Sequence, residues 1–188
     1  YNVANTVSLT TGTQKNQTYV SVGAVNARGI IQNNDLDRYN FSVRNTTSML
    51  NDKLTMDLSF MYSNVKEQNM LSQGEYANPL VPVYLFPRGD DFSKYQYYER
   101  YDVDRNIKTQ FWPLKENGLS MQNPYWITNR NMYTNKKDRF LASGSLKYTI
   151  TDWLNVSGRV KLDKETINSE KKMYASTLNV IAENSDKG

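Results

Sequence analysis

Hydrophobic and polar residues alternate along three paired stretches of the chain. Phe140, Ala142, Gly144, Leu146, Tyr148 and Ile150 form one set, and Ser143, Ser145, Lys147 and Thr149 form the other. After a short turn at Thr151–Trp153, Leu154, Val156, Gly158, Val160 and Leu162 alternate with Asn155, Ser157, Arg159, Lys161 and Asp163. Successive side chains of an extended chain point to opposite faces, so the pattern predicts a hairpin with one apolar and one charged wall. Leu54, Met56, Leu58, Phe60 and Tyr62 repeat the period against Thr55, Asp57 and Ser59. Hairpins are thus predicted over about 3–27, 38–65 and 139–164, closed by short turns at 12–17, 51–53 and 151–153. Two positions resist the pattern: Asn45 and Thr47 continue the face of Tyr39, Phe41 and Val43. In the first hairpin, Tyr19, Gly23 and Val25 compete with Val20, Val22 and Ala24, which leaves its facing open.

The connections between hairpins are longer, at 28–37 and 66–138, and another polar stretch follows Lys164. Up-and-down strands reverse at every turn, so all short turns fall at one end and all long loops at the other. Transmembrane barrels are built this way. Aromatic residues gather toward the strand ends, with Tyr39, Phe41, Phe60, Tyr62 and Phe140 near the loops and Tyr148 and Trp153 near the turns. Two such girdles suit the interfaces of a bilayer. The alternative is a soluble sandwich whose core is capped by these rings. Six strands are too few to close a membrane barrel, and an open sheet in lipid would leave backbone groups unsatisfied. The membrane reading therefore predicts a segment of a larger barrel.

Composition narrows the class. Only 38% of residues are hydrophobic, and 12% are aromatic with fourteen tyrosines. Cysteine and histidine are both absent, which removes disulfides, thiolate chemistry, the commonest general base and the commonest metal ligand. The net charge of +4 is dispersed rather than gathered in a basic stripe, so no nucleic-acid partner is expected. No apolar run approaches the ~18 residues of a membrane-spanning helix, a test to which barrel strands are blind. The first residue is Tyr1 with no leader-like segment after it, and the chain is expected to be processed or internal to a longer one.

Several blocks carry a family resemblance: NARGI at 26–30, RNTTSMLNDKL at 44–54, NPLVPVYLFPRGDDF at 78–92, YYERYD at 97–102, QNPYWITNR at 122–130 and ITDWLNVSGRV at 150–160. In order and over nearly the whole chain, they resemble the SusC/RagA family of TonB-dependent outer-membrane transporters of Bacteroidetes. The resemblance implies an antiparallel transmembrane β-barrel segment, about six strands of a 22-stranded barrel with long extracellular loops. It also implies a SusD-like surface lipoprotein as lid, energy from the TonB complex, and import of oligosaccharides or peptides. The chain carries no recognisable signal peptide, TonB box or plug.

The 66–138 loop holds thirteen of the twenty-three aromatic residues and is expected to be folded, since disordered segments are poor in aromatics. Its apolar core is expected at NPLVPVYLFP. Tyr97, Tyr98, Tyr101, Trp112, Tyr125 and Trp126 are the candidate contacts for substrate or partner, because Tyr and Trp favour interfaces and sugar rings. The plainer expectation is that most of them pack the loop. Asp90, Asp91, Asp102 and Asp104 offer oxygen ligands for calcium, unless Arg100 or Arg105 pairs with them. The arginine-glycine-aspartate triplet at 88–90 is too short to carry an argument. No carboxylate pair stands out as that of a glycosidase, so no catalytic residue, metal or cofactor is expected. Arg44, Asp57, Lys147, Arg159, Lys161 and Asp163 would face the lumen, touching cargo or plug, or simply solvated. The competing functional reading is a soluble all-β carbohydrate-binding module.

Overall fold

A computed structural model describes residues 1–70, 74–113 and 121–187. Six long strands form one antiparallel sheet: β1 (Asn2–Gly12), β2 (Asn16–Arg28), β3 (Asp35–Met49), β4 (Leu54–Gln68), β7 (Met132–Thr151) and β8 (Leu154–Lys172). Two further strands, β5 (Glu99–Asp102) and β6 (Ile107–Gln110), make a separate hairpin, and two short helices are α1 (Leu80–Tyr84) and α2 (Pro124–Arg130). The large sheet runs β1-β2-β3-β4-β7-β8, with β4 pairing to β7 across the segment that holds β5 and β6 and every other pair consecutive in sequence. The strands are longer than the alternation alone predicts. The last strand does not end near 164 but runs to Lys172, and the 66–138 connection shrinks to 69–131. Residues 71–73 and 114–120 of that expected loop lie outside the described residues.

Register settles the facing of every strand. Leu9, Val20, Val43, Phe60, Ala142 and Leu162 lie in one continuous cross-strand row. Val7, Val22, Phe41, Tyr62 and Phe140 form the next row on the same face. The first hairpin therefore contributes Val20, Val22 and Ala24 to the apolar wall, while Tyr19 and Val25 join the polar one. Asn45 and Thr47 do sit on the apolar wall, yet their polar groups are closed among neighbours. The Asn45 amide donates to Asn16 Oδ1 and Thr18 Oγ1 at 2.8 Å each, and the Thr47 hydroxyl donates to Asn45 Oδ1 at 2.7 Å. A polar group with its hydrogen bonds made costs little in an apolar setting.

Short turns close the opposite end of the sheet. Gly12 adopts φ +142°, and a Cβ there would meet the Asn16 carbonyl oxygen at 2.0 Å, so only glycine fits. Leu50, Asn51 and Asp52 all take positive φ in the second turn. The third is a two-residue turn with a register shift between Thr149 and Thr151.

Where the core sits is unusual for a six-stranded sheet. The buried hydrophobic side chains are Trp112, Trp126, Ile127, Leu178 and Ala182, none of them in the large sheet. Among the described residues, no second layer covers either face of that sheet.

Candidate functional site

The two long connections meet at one end of the sheet and fold into a single body. Asn33 of the β2–β3 loop donates to the Thr128 carbonyl and to Asn129 Oδ1, both at 3.0 Å. Asn34 reaches the Asn69 carbonyl at 2.8 Å. The chain after β8 packs against the same body. Gln110 donates its backbone N–H to Ser176 Oγ at 3.0 Å and its amide to the Ser176 carbonyl at 2.8 Å, and Thr177 donates to Asn131 Oδ1 at 2.8 Å. These partners lie tens of residues apart, so polar side chains, buried and paired, do much of the joining.

Local capping fixes the small elements. Asn123 accepts from the Tyr125 N–H at 2.8 Å, and Pro124 opens α2, the preferred residues for a helix start. Asn123 also donates to the carbonyls of Tyr95 at 2.7 Å and Phe111 at 2.9 Å, which ties α2 to the aromatic layer beside it. In that layer Phe86 meets Phe92 edge-on at 4.9 Å, and Trp112 stands 5.1 Å from Tyr95 and 5.7 Å from Phe86. Trp126 meets Tyr174 edge-on at 5.8 Å. Among the described residues, the Trp126 indole N–H finds no acceptor.

The six candidate contact residues separate into two groups. Trp126 is fully buried and Trp112 is 6% exposed, so neither presents a ring to a ligand; both are core of the loop body. They are not the exposed stacking surfaces the sequence suggested, because the loop needed its own hydrophobic centre. Tyr98 and Tyr125 are half-buried. Tyr97, 81% exposed, and Tyr101, 59% exposed, remain open to a partner. The expected apolar core at NPLVPVYLFP is also corrected: Pro82 is buried and Phe86 joins the aromatic layer, but Val83, Tyr84 and Leu85 project outward. Tyr84 is 83% exposed, and this three-residue knob was missed because its hydrophobicity reads as core in a sequence.

Charges in the loop body are organised around Glu99. It accepts from Lys108 Nζ at 2.7 Å and Arg130 Nε at 2.7 Å, and Arg130 lies 4.7 Å from the Tyr174 ring. Burial pushes the Glu99 carboxyl up, but hydrogen bonds and charge from Lys108 and Arg130 outweigh it and hold the group below its ordinary range. The aspartates do not gather as a calcium site. Asp91 caps a 3-10 turn through Ser93, Asp102 accepts from the N–H groups of Asp104 and Arg105, and Arg105 pairs with Asp186 at 2.6 Å. Arg100 stacks over Phe111 at 3.2 Å from the ring centre. Among the described residues, no three potential ligands converge.

The polar wall of the sheet carries Arg44, Asp57, Lys147, Arg159, Lys161 and Asp163 on one face. Arg44 binds Asp57 through Nε at 2.9 Å and Nη2 at 2.8 Å, and Thr46 donates to the same carboxylate oxygen. Arg139 holds Asp163 with two bonds of 2.9 and 2.6 Å. Where the wall meets the loop body, a cavity of about 340 Å³ opens between Tyr133 and Lys171 on the strands and Asn69, Pro79, Ile127 and Asn131 above.

Compared with known proteins, the chain matches no family model and no curated protein. Its fold is an all-β, antiparallel one.

Proposed function

We propose that this chain is a wall segment of an outer-membrane β-barrel transporter of the SusC/RagA type. In that role its apolar face meets lipid, its polar face lines the lumen, and the loop body stands outside the cell. The barrel imports oligosaccharides or peptides with a SusD-like lipoprotein as lid and the TonB complex as energy source. The exposed Val83–Leu85 knob, with Tyr97 and Tyr101, is the surface offered to that lid or to cargo.

One observation carries the reading: the apolar band crosses the sheet obliquely. Its upper border is Ala24 on β2, Tyr39 on β3, Tyr62 on β4, Phe140 on β7 and Leu162 on β8, and the next outward residues are Asn26, Asp37, Asn64, Asp138 and Lys164. By register this border descends four residues over the four steps from β2 to β8, whereas on β1 it stands at Val7, beside Val22 and two residues below its level on β2. One residue per strand is roughly 3.4 Å along the chain for about 4.8 Å across, a slope of about 35°. Strands tilted by ~35–45° in a bilayer would give that slope to a border held level by the membrane. On β7 the band runs from Phe140 to Ile150, roughly 34 Å along the strand at ~3.4 Å per residue. At that tilt it stands close to the ~25 Å apolar belt of outer-membrane barrels. The wall is also a large exposed apolar surface, which a monomer in water does not keep.

The test is made on the full-length protein in its own outer membrane. A barrel resists extraction until detergent is added, migrates faster in unheated than in heated SDS samples, and its deletion abolishes growth on its glycan or peptide source. Recovery of the native protein from the soluble fraction, with no heat-dependent migration, defeats the proposal. The competing carbohydrate-binding module rests on Tyr97 and Tyr101, and predicts sugar binding by soluble protein that is lost when both become alanine.

A further inference from the structure

On the apolar wall, small residues cut a groove. Gly144 lies between Leu58 on β4 and Val160 on β8, and Ala142 lies between Phe60 and Leu162. The larger side chains of the flanking strands stand on either side of these two positions and leave an open trough of about 530 Å³. Toward the loops, two of the columns that form it end in lysines. Lys66 shares the face of Leu58 and Phe60, Lys136 shares that of Ala142 and Gly144, and the two are direct cross-strand partners. Like charges facing each other across a ladder, with Cα atoms about 5 Å apart, repel. Both lysines are exposed, and among the described residues neither has an ion-pair partner. Asp37, the cross-strand neighbour of Lys66 on β3, is bound by Asn26 at 2.8 Å and Arg28 at 3.3 Å. Asp138, beside Lys136 on the same face, accepts from Tyr62 at 2.6 Å and Asn64 at 2.7 Å. On the polar wall at the same level the cation is matched, since Lys137 pairs with Glu67 at 3.2 Å.

We propose that the lysine pair and the groove below it form one binding site for a phosphate-bearing lipid of the outer leaflet. The phosphate bridges Lys66 and Lys136, and an acyl chain lies along Ala142 and Gly144. The inference rests on the barrel reading, which turns this wall to lipid and puts its loop end outside the cell. The heights agree. Both lysines stand four residues beyond the Tyr62–Phe140 border, roughly 14 Å along the strand and about 10 Å above it at a ~40° tilt. A lysine can bend its ammonium back by about 6 Å toward a membrane interface, which brings both heads into the ~5–8 Å headgroup layer. Ala142 is the next position below that border on β7, so a chain descending from the bridged phosphate enters the groove at once. Lys164, in the row of Phe140, stands on the other side of the groove and adds a further exposed cation. The arrangement favours a lipid over a free anion. The lysines project from an open sheet and make no closed cradle, so a phosphate from solution would find little to hold it. A lipid phosphate is already kept at this level by its chains, which raises its effective concentration. Its charge also relieves the repulsion between the two ammonium groups.

Native mass spectrometry of the full-length protein, purified from outer membranes and washed free of lipid in detergent, tests this. Titration with monophosphoryl lipid A, a phosphate monoester on an acylated disaccharide, should fill a first site saturably. Lys66→Gln and Lys136→Gln should each weaken that site roughly fivefold, the change expected of one lysine lost at an anionic lipid surface. Ala142→Phe, which fills the groove and leaves both lysines in place, should weaken it by a similar factor. Lys137→Gln, on the opposite face, should leave it unchanged. Undiminished binding in either lysine variant or in Ala142→Phe overturns the proposal. So does displacement of the lipid by inorganic phosphate or glucosamine 1-phosphate, which would mark a site for a soluble anion. Heat-dependent migration is scored on the same samples. Its persistence with unaltered lipid binding in the variants defeats the lipid site alone, and its absence defeats the barrel.

Discussion

The large sheet and the loop body are made by opposite means. The sheet has long, regular ladders, short turns and no buried core, and its two edge strands are exposed along their whole length. The loop body has elements of four to seven residues, buried tryptophans and a web of side-chain bonds between distant segments. One region takes its order from backbone pairing and leaves its apolar wall for its surroundings to cover. The other buries an apolar centre of its own, around Trp112, Trp126, Ile127 and Leu178, and leaves only a smaller knob at Val83–Leu85 exposed. A membrane-embedded wall and a water-exposed cap would differ in just this way.

Replacing Trp126 with alanine gives the largest expected effect, about 3–5 kcal/mol for an aromatic ring deleted from a packed core. Proteolysis of the full-length protein should then cut within 74–113 and 173–187 while the six strands stay protected. Equal loss of protection in the sheet would mean that the two regions share one stability. Leu58→Arg on the apolar wall should cost ~2–4 kcal/mol if that position lies near the bilayer midplane, and the adjacent Ser59→Arg on the polar wall far less. Folding into vesicles, followed by urea titration, measures both, and equal costs would argue for water on both sides.

A pH titration separates the regions more gently. Glu99 has a folded pKa below its unfolded one, so its pairing with Lys108 and Arg130 stabilises the loop body fully above the ordinary carboxylate value of 4.5. That contribution is lost as pH falls from about 4.5 through the lower folded value. Hydrogen exchange in α2 should therefore speed up below that range, and Glu99→Gln should flatten the profile. Arg100→Ala gives the smallest change, about 0.5–1 kcal/mol for an exposed cation over an aromatic ring, seen as faster exchange at β5 alone.

The same contrast explains what could be read from the sequence. Alternation revealed β4, β7 and β8 because their two faces differ in chemistry at each step. It failed at Glu165–Lys172, where the strand continues beyond the apolar band and both faces are polar. It left β1 and β2 open because alanine, glycine and tyrosine blur the two sets, and only pairing to Phe41 and Val43 decided them. In the loop body the signal is not local at all. Gln110, Gln122 and Asn123 are buried, yet a sequence shows only polar residues, whose partners at Ser176, Leu178 and Tyr95 lie elsewhere in the chain. Composition promised a folded loop, and geometry chose which aromatics it would consume.

The loop body draws on 29–34, the described residues of 69–131 and 173–187 together, and this limits how the protein can be recombined. Transplanting the central loop alone onto another sheet would strip Gln110 and Gln122 of Ser176 and Leu178, and Thr128 and Asn129 of Asn33. Chimeras that exchange one loop should misfold at the junction, while those that exchange all three segments as a set should carry the cap over whole. The structural unit at this end of the sheet is the three segments together, and change in any one of them constrains the other two.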